Sequence, residues 1–193
     1  GSTYRNNLSP GYSFTQNFLS DLGRTMSFSG EINFFSAQFF NMSLILAGIV
    51  FSFFYYNVRK VFLVDNQRVL ALIGSIFGVL GGLSLIGVGI TPADLYLDFH
   101  IMFATWLFRF FFVASLFYSI VIFRDDQYEN KFTGGYLIFT FSILLYIVVS
   151  ELGPDPKISL FALTFQVVSQ KIILLILIAS IYIQTLGLKR LLK

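Results

Sequence analysis

Of 193 residues, 56% are hydrophobic, 19% aromatic and only 12% charged, far below the roughly 25% charged residues of a soluble domain, so a water-soluble fold is excluded. The net charge of +3 has a topological explanation, given below, and carries no argument for nucleic-acid binding. The absence of cysteine and the single histidine exclude disulfides, thiolate metal sites and multi-histidine metal centres; no metal and no cofactor are expected.

Residues 1–36 contain no spanning run and form an extracytoplasmic segment ahead of a membrane bundle over 37–193. Within that segment Ser13 and Gln16 have the spacing of a capping box, and Phe14, Phe18, Leu19 and Leu22 share one apolar face before Gly23. The pattern predicts an amphipathic helix over 13–23 lying on the membrane surface, with Asn17 and Asp21 on its wetter side.

Five apolar stretches follow, at Ser36–Asn57, Arg68–Ile90, Leu97–Phe123, Gly134–Glu151 and Ser159–Leu188. Most approach or exceed the roughly 20 apolar residues that cross a bilayer as a helix, which predicts an all-α polytopic transmembrane bundle. The connecting segments carry charge or helix breakers. Arg59, Lys60, Arg68, Arg124, Lys131, Lys189, Arg190 and Lys193 gather on one side, eight of the thirteen basic residues. The positive-inside rule places those loops and the C-terminus in the cytoplasm, and the N-terminal segment and the Thr91–Asp98 loop outside. An outside start needs something to translocate it, so an upstream helix is expected.

The stretches YSFTQNFLSDLG, FFN near the first span, and GITPAD ahead of DFHIMFATWLF resemble the bacterial and archaeal membrane family called domain of unknown function 998. More distantly they resemble the Frag1, DRAM and Sfk1 group. The resemblance covers most of the chain and implies a prokaryotic cytoplasmic membrane and six helices, of which the first is not in this sequence. It implies no activity.

Gly74, Gly78 and Gly82 repeat every four residues on the second span, a small-residue face suited to close helix packing. A helix of the same chain is the leading occupant; a homo-oligomer or a larger membrane complex is the alternative. Arg109 and Lys171 lie about 16 Å and 18 Å from the outer ends of their spans at ~1.5 Å per residue, near the midplane of a core roughly 30 Å thick. A charge there costs about 2.5–3.5 kcal/mol on insertion scales, and no carboxylate occupies the interior of any span. The two cations are therefore expected to line one polar cavity with Gln166 or Gln170, with Thr105 and Asn41 as further polar contacts, and to receive an anionic ligand. The plain alternative is that they bond to carbonyls and to the amides of Gln166 and Gln170, or that a folded-in Asp21 or Glu31 neutralises one of them.

His100 sits at the outer boundary. Its expected partner is a carboxylate, Asp21, Asp94 or Asp98, and a surface helix folded over the bundle would also bring Asn41 near; an interfacial histidine bonded to a loop carboxylate or carbonyl, fixing helix position, is the plain alternative. His100 with Asp21 and Asp94 would form a candidate acid–base centre. Three functions follow: a protein that binds, moves or presents a lipid or amphiphilic anion; an outer-leaflet lipid-modifying enzyme using His100; and an accessory subunit of a membrane complex.

Overall fold

The structure is a computed structural model that describes residues 3, 5–9, 11–62, 65–126 and 130–191. Gly1, Ser2 and Lys193 lie outside the described residues. The protein is an all-α transmembrane bundle. Its helices are α1 (Phe34–Val58), α2 (Asp65–Ile90), α3 (Leu97–Phe123), α4 (Asn130–Leu152) and α5 (Leu160–Leu191). All five are long and apolar enough to cross a membrane. They coincide with the expected spans to within a few residues, because breakers and charges in the connecting segments stop each apolar run.

Packed pairs follow chain order, α1 on α2, α2 on α3, α3 on α4 and α4 on α5, so the helices form an open arc with α1 and α5 at its two ends. One end of the bundle carries the N-terminal segment and the α2–α3 and α4–α5 loops; this is the cap end. The other carries the Lys/Arg-rich connections and is the basic end. The core lies at mid-depth and toward the basic end, where Tyr55, Phe111, Tyr118, Tyr136, Phe139 and Ile143 are buried together.

Two features hold α1, α2 and α3 in register. The first is a buried polar knot. The Tyr118 hydroxyl donates to Ser75 Oγ (2.6 Å), and Ser75 donates in turn to the Tyr55 carbonyl (2.6 Å), so each hydroxyl has a partner away from water. The second is the glycine surface of α2. A Cβ at Gly82 would lie 2.7 Å from the Gly48 carbonyl oxygen, and one at Gly78 would overlap the Tyr55 ring. Gly74, by contrast, faces Tyr118 and Phe117 of α3. The three glycines therefore serve two neighbours of the same chain, α1 and α3, and do not line a single seam.

The amphipathic helix over 13–23 is corrected. Only Leu19–Gly23 is helical, as a single 3-10 turn, and it is stopped at its start by the Asp21 carboxylate accepting from Phe18 N, not by Ser13 with Gln16. Asn17 and Asp21 do not face water. Asn17 is buried and Asp21 half-buried, because Asn17 accepts from Ser13 N and donates to Asp21, which also accepts from Phe18 N.

Gly78→Ala is expected to lower the melting temperature in detergent, at an overpacking cost of about 1–3 kcal/mol. Gly134→Ala, where an added Cβ meets nothing within 4 Å, should leave it unchanged or raise it slightly through helix propensity. Equal melting temperatures for the two variants would contradict the α1–α2 packing.

Candidate functional site

The N-terminal segment folds over the cap end and fills the outer part of the opening between α1 and α5. Its 3-10 turn touches both helices. A non-helical chain at this depth must have its main-chain groups satisfied from the protein, and side chains supply the partners. Lys171 of α5, buried at 4% exposure, donates to the Phe14 carbonyl and, at 2.6 Å, to the Asn17 carbonyl. Its ammonium also lies 5.1 Å from the Tyr12 ring centroid and 4.7 Å from that of Phe14. The neighbouring Gln170 accepts from Leu19 N through Oε1 (2.9 Å) and is hydrogen-bonded to Tyr146 of α4.

Further bonds fasten the segment to the other helices. Asn41 Nδ2 donates to the Gly23 carbonyl (3.0 Å) and Ser36 Oγ to the Leu22 carbonyl (2.9 Å). A Cβ at Gly23 would meet the Phe40 ring at 2.9 Å, so the turn can sit this close to α1 only as glycine. Asp94, in the α2–α3 loop, accepts from Thr25 N (3.0 Å), Thr25 Oγ1 (2.5 Å) and Met26 N (2.9 Å).

The two cap carboxylates differ electrically. Burial pushes the Asp21 carboxyl above the usual carboxylate range, against the opposing pull of its bond from Asn17, the Arg24 charge, its bond from Phe18 N and the Lys171 charge. Burial also works on Asp94, but its bonds from Thr25 and Met26 outweigh it and hold that carboxyl low. Tyr12 is pushed up to about 12 by burial and by the Asp21 charge.

His100 does not bond a carboxylate among the described residues. Its Nδ1 lies 2.7 Å from the Thr91 carbonyl, and since a carbonyl only accepts, Nδ1 carries the proton. Thr91 follows the last residue of α2, where carbonyls lack intrahelical donors, so the imidazole ties α3 to the end of α2. Asp94 is engaged with Thr25 and Met26, and Asp21 acts on the ring only through space. The three residues expected to form an acid–base centre are gathered at the cap end but joined to other partners.

Arg109 and Lys171 take separate partners. Arg109 Nη2 donates to Glu151 Oε1 at 2.6 Å, with the side chains 39% and 44% exposed, and its guanidinium stacks 5.3 Å from the Trp106 ring. Depth counted from each helix's own start treats all helix ends as level, and they are not. Gln166 Nε2 donates to the Val149 (2.8 Å) and Pro154 (3.3 Å) carbonyls, so α4 ends alongside Gln166, about 9 Å below the start of α5 at ~1.5 Å per residue. That low end carries Glu151 down to Arg109. Thr105 is half-buried one turn before Arg109.

Below the N-terminal segment the opening between α1 and α5 is a cleft of about 170 Å³. Val50, Phe51 and Phe54 of α1 form one wall and Leu177 and Ile181 of α5 the other, with Phe111 and Phe139 behind. Gln184 and Thr185 mark its inner end. The sequence offers no signal for this cleft, because its walls come from four helices whose relative placement decides it.

A family model described as a protein of unknown function, DUF998, matches residues 4–181. The chain belongs to this family. The DUF998 match takes in the cap as well as the helices, so the N-terminal segment is part of the family's domain and not an appendage. No curated protein and no solved structure matches the chain.

The low-lying Asp94 carboxyl sets a pH dependence. Its contribution is present above the unfolded value near 3.9 and is lost as pH falls through the lower folded value. Amide exchange at Thr25 and Met26 should therefore be slow at pH 7 and, after correction for intrinsic rates, lose its protection in acid below about pH 3.9. Asp94→Ala should show the weakened protection at neutral pH already. Equal protection in parent and variant would remove Asp94 as the clasp.

Proposed function

We propose that this DUF998 protein binds a membrane amphiphile in the cleft between α1 and α5, with the chain of the amphiphile against Phe51, Phe54, Phe111, Phe139 and Leu177. The observation that carries the reading is the cleft itself. It is an apolar groove within the membrane-spanning part of an open arc, flanked by the half-exposed face of α1.

Its size supports a chain and not a whole lipid. About 170 Å³ is below the roughly 300–1,000 Å³ of sites that enclose a complete small ligand, so the rest of the amphiphile stays in the bilayer. A polar group would lie toward Lys171, six residues along α5 from Leu177, or about 9 Å at ~1.5 Å per residue. That ammonium is compensated by carbonyl dipoles and by the through-space charge of Asp21, without a contacting carboxylate among the described residues, so an anionic head suits it best. Arg109 belongs to a different face, paired with Glu151, and has no part in this reading.

Reconstitution with a lipid carrying a photoactivatable group mid-chain tests the proposal. Labelling should concentrate on Val50, Phe54, Leu177 and Ile181. Leu177→Trp, which fills the groove, should cut it at least fivefold. Labelling spread evenly over every lipid-exposed helix, and unaltered by that substitution, would contradict it.

A further inference from the structure

A second cavity, of about 240 Å³, lies within the cap and shares no lining residue with the cleft. Its wall presents acceptors whose neighbouring donors are already engaged. Asp21 Oδ2 accepts from Asn17 Nδ2 (3.1 Å) and Phe18 N (2.9 Å), while Oδ1 accepts from no described residue. Asn33 gives its amide protons to the Leu22 (3.3 Å) and Arg24 (3.0 Å) carbonyls, leaving its Oδ1 without a donor among the described residues. Ser36 gives its hydroxyl proton to the Leu22 carbonyl and keeps its lone pairs, and Tyr12 directs its own proton at the Asn17 and Phe18 carbonyls.

These residues line the cavity, and a wall of acceptors suits a donor. An ammonium group brings three donors and no acceptor, matching Asp21, Asn33 and Ser36. Arg24 also lines the cavity and has the opposite need. Its Nε donates to the Met26 carbonyl (3.2 Å) and its guanidinium rests 4.1 Å from the Phe28 ring centroid. Its terminal nitrogens have no hydrogen-bond partner among the described residues, and no ion pair there joins it to Asp21. A guanidinium held in this way is suited to a phosphate.

We propose that the cap cavity binds a compact ammonium–phosphate zwitterion of the ethanolamine-phosphate type, the ammonium on Asp21, Asn33 and Ser36 and the phosphate on Arg24. The burial that raises the Asp21 carboxyl is offset by the arriving positive charge. A volume below that of a drug-sized pocket admits this group and excludes a bulky sugar. The same chemistry is carried by a phosphatidylethanolamine headgroup and by a free phosphoethanolamine ester. The proposal is independent of what fills the cleft.

The test uses the full chain in phosphatidylglycerol nanodiscs, titrated calorimetrically with glycerophosphoethanolamine and, separately, with glycerophosphoglycerol. A parallel arm measures by native mass spectrometry which lipid is retained from nanodiscs of equal phosphatidylethanolamine and phosphatidylglycerol content. Binding of the soluble amine ester supports the proposal with a free or headgroup source. Selective retention of phosphatidylethanolamine without binding of the ester supports it with the intact lipid as source. Asp21→Asn should weaken either signal at least tenfold. Ser36→Leu, which fills the cavity, should abolish it while amide protection at Thr25 and Met26 stays as in the parent. Neither binding nor selective retention by the parent, equal affinity for the ester without an amine, or full binding by both variants would overturn the proposal.

Discussion

The charge on Lys171 is the constraint from which the cap end follows. An ammonium about 16 Å along α5, at ~1.5 Å per residue, costs about 2.5–3.5 kcal/mol if it meets hydrocarbon. Two charge-assisted hydrogen bonds at about 1.5–3 kcal/mol each are enough to offset that cost, and the Phe14 and Asn17 carbonyls provide them. The need is mutual. A chain segment with only one short 3-10 turn cannot sit at that depth unless its carbonyls and amides find partners, and Lys171 with Gln170 supplies one donor group and one acceptor.

That exchange divides the opening between α1 and α5 into two parts of different character. The outer part is filled by polar main chain, aromatic rings and the Asp21 carboxylate. The inner part, with no chain to fill it, is the apolar cleft from Val50 to Gln184. An arc of five helices without the N-terminal segment would be open along its length. With it, the part left open is a short apolar groove, and a groove of that form suits the chain of an amphiphile.

The bundle was legible in the sequence because hydropathy and charged turns act locally. Leu97–Phe123 agrees to the residue, since Pro92 and Asp94 precede it and Arg124 follows. What failed did so where the partner was main chain or lay on a helix ending at another level. Lys171 takes main-chain carbonyls, one of the two readings its position allowed, but a sequence does not show which carbonyls a buried ammonium will meet. Glu151 was visible but assigned to the outer boundary, and only the low end of α4 brings it to Arg109. His100 likewise took the Thr91 carbonyl in place of an aspartate. Asp21 and Asn17 read as the wet side of a surface helix, whereas the segment's own unpaired amides draw them inward.

The most direct measurement of this account is hydrogen exchange in residues 12–23 of the protein in lipid nanodiscs, compared between the parent and Lys171→Met. The account predicts strong protection at Leu19 and its neighbours in the parent and a rise of at least tenfold in exchange in the variant, with the spans from α1 to α5 unaltered. Equal protection in both, or a segment already unprotected in the parent, would contradict the claim that Lys171 seats the N-terminal segment in the opening of the arc.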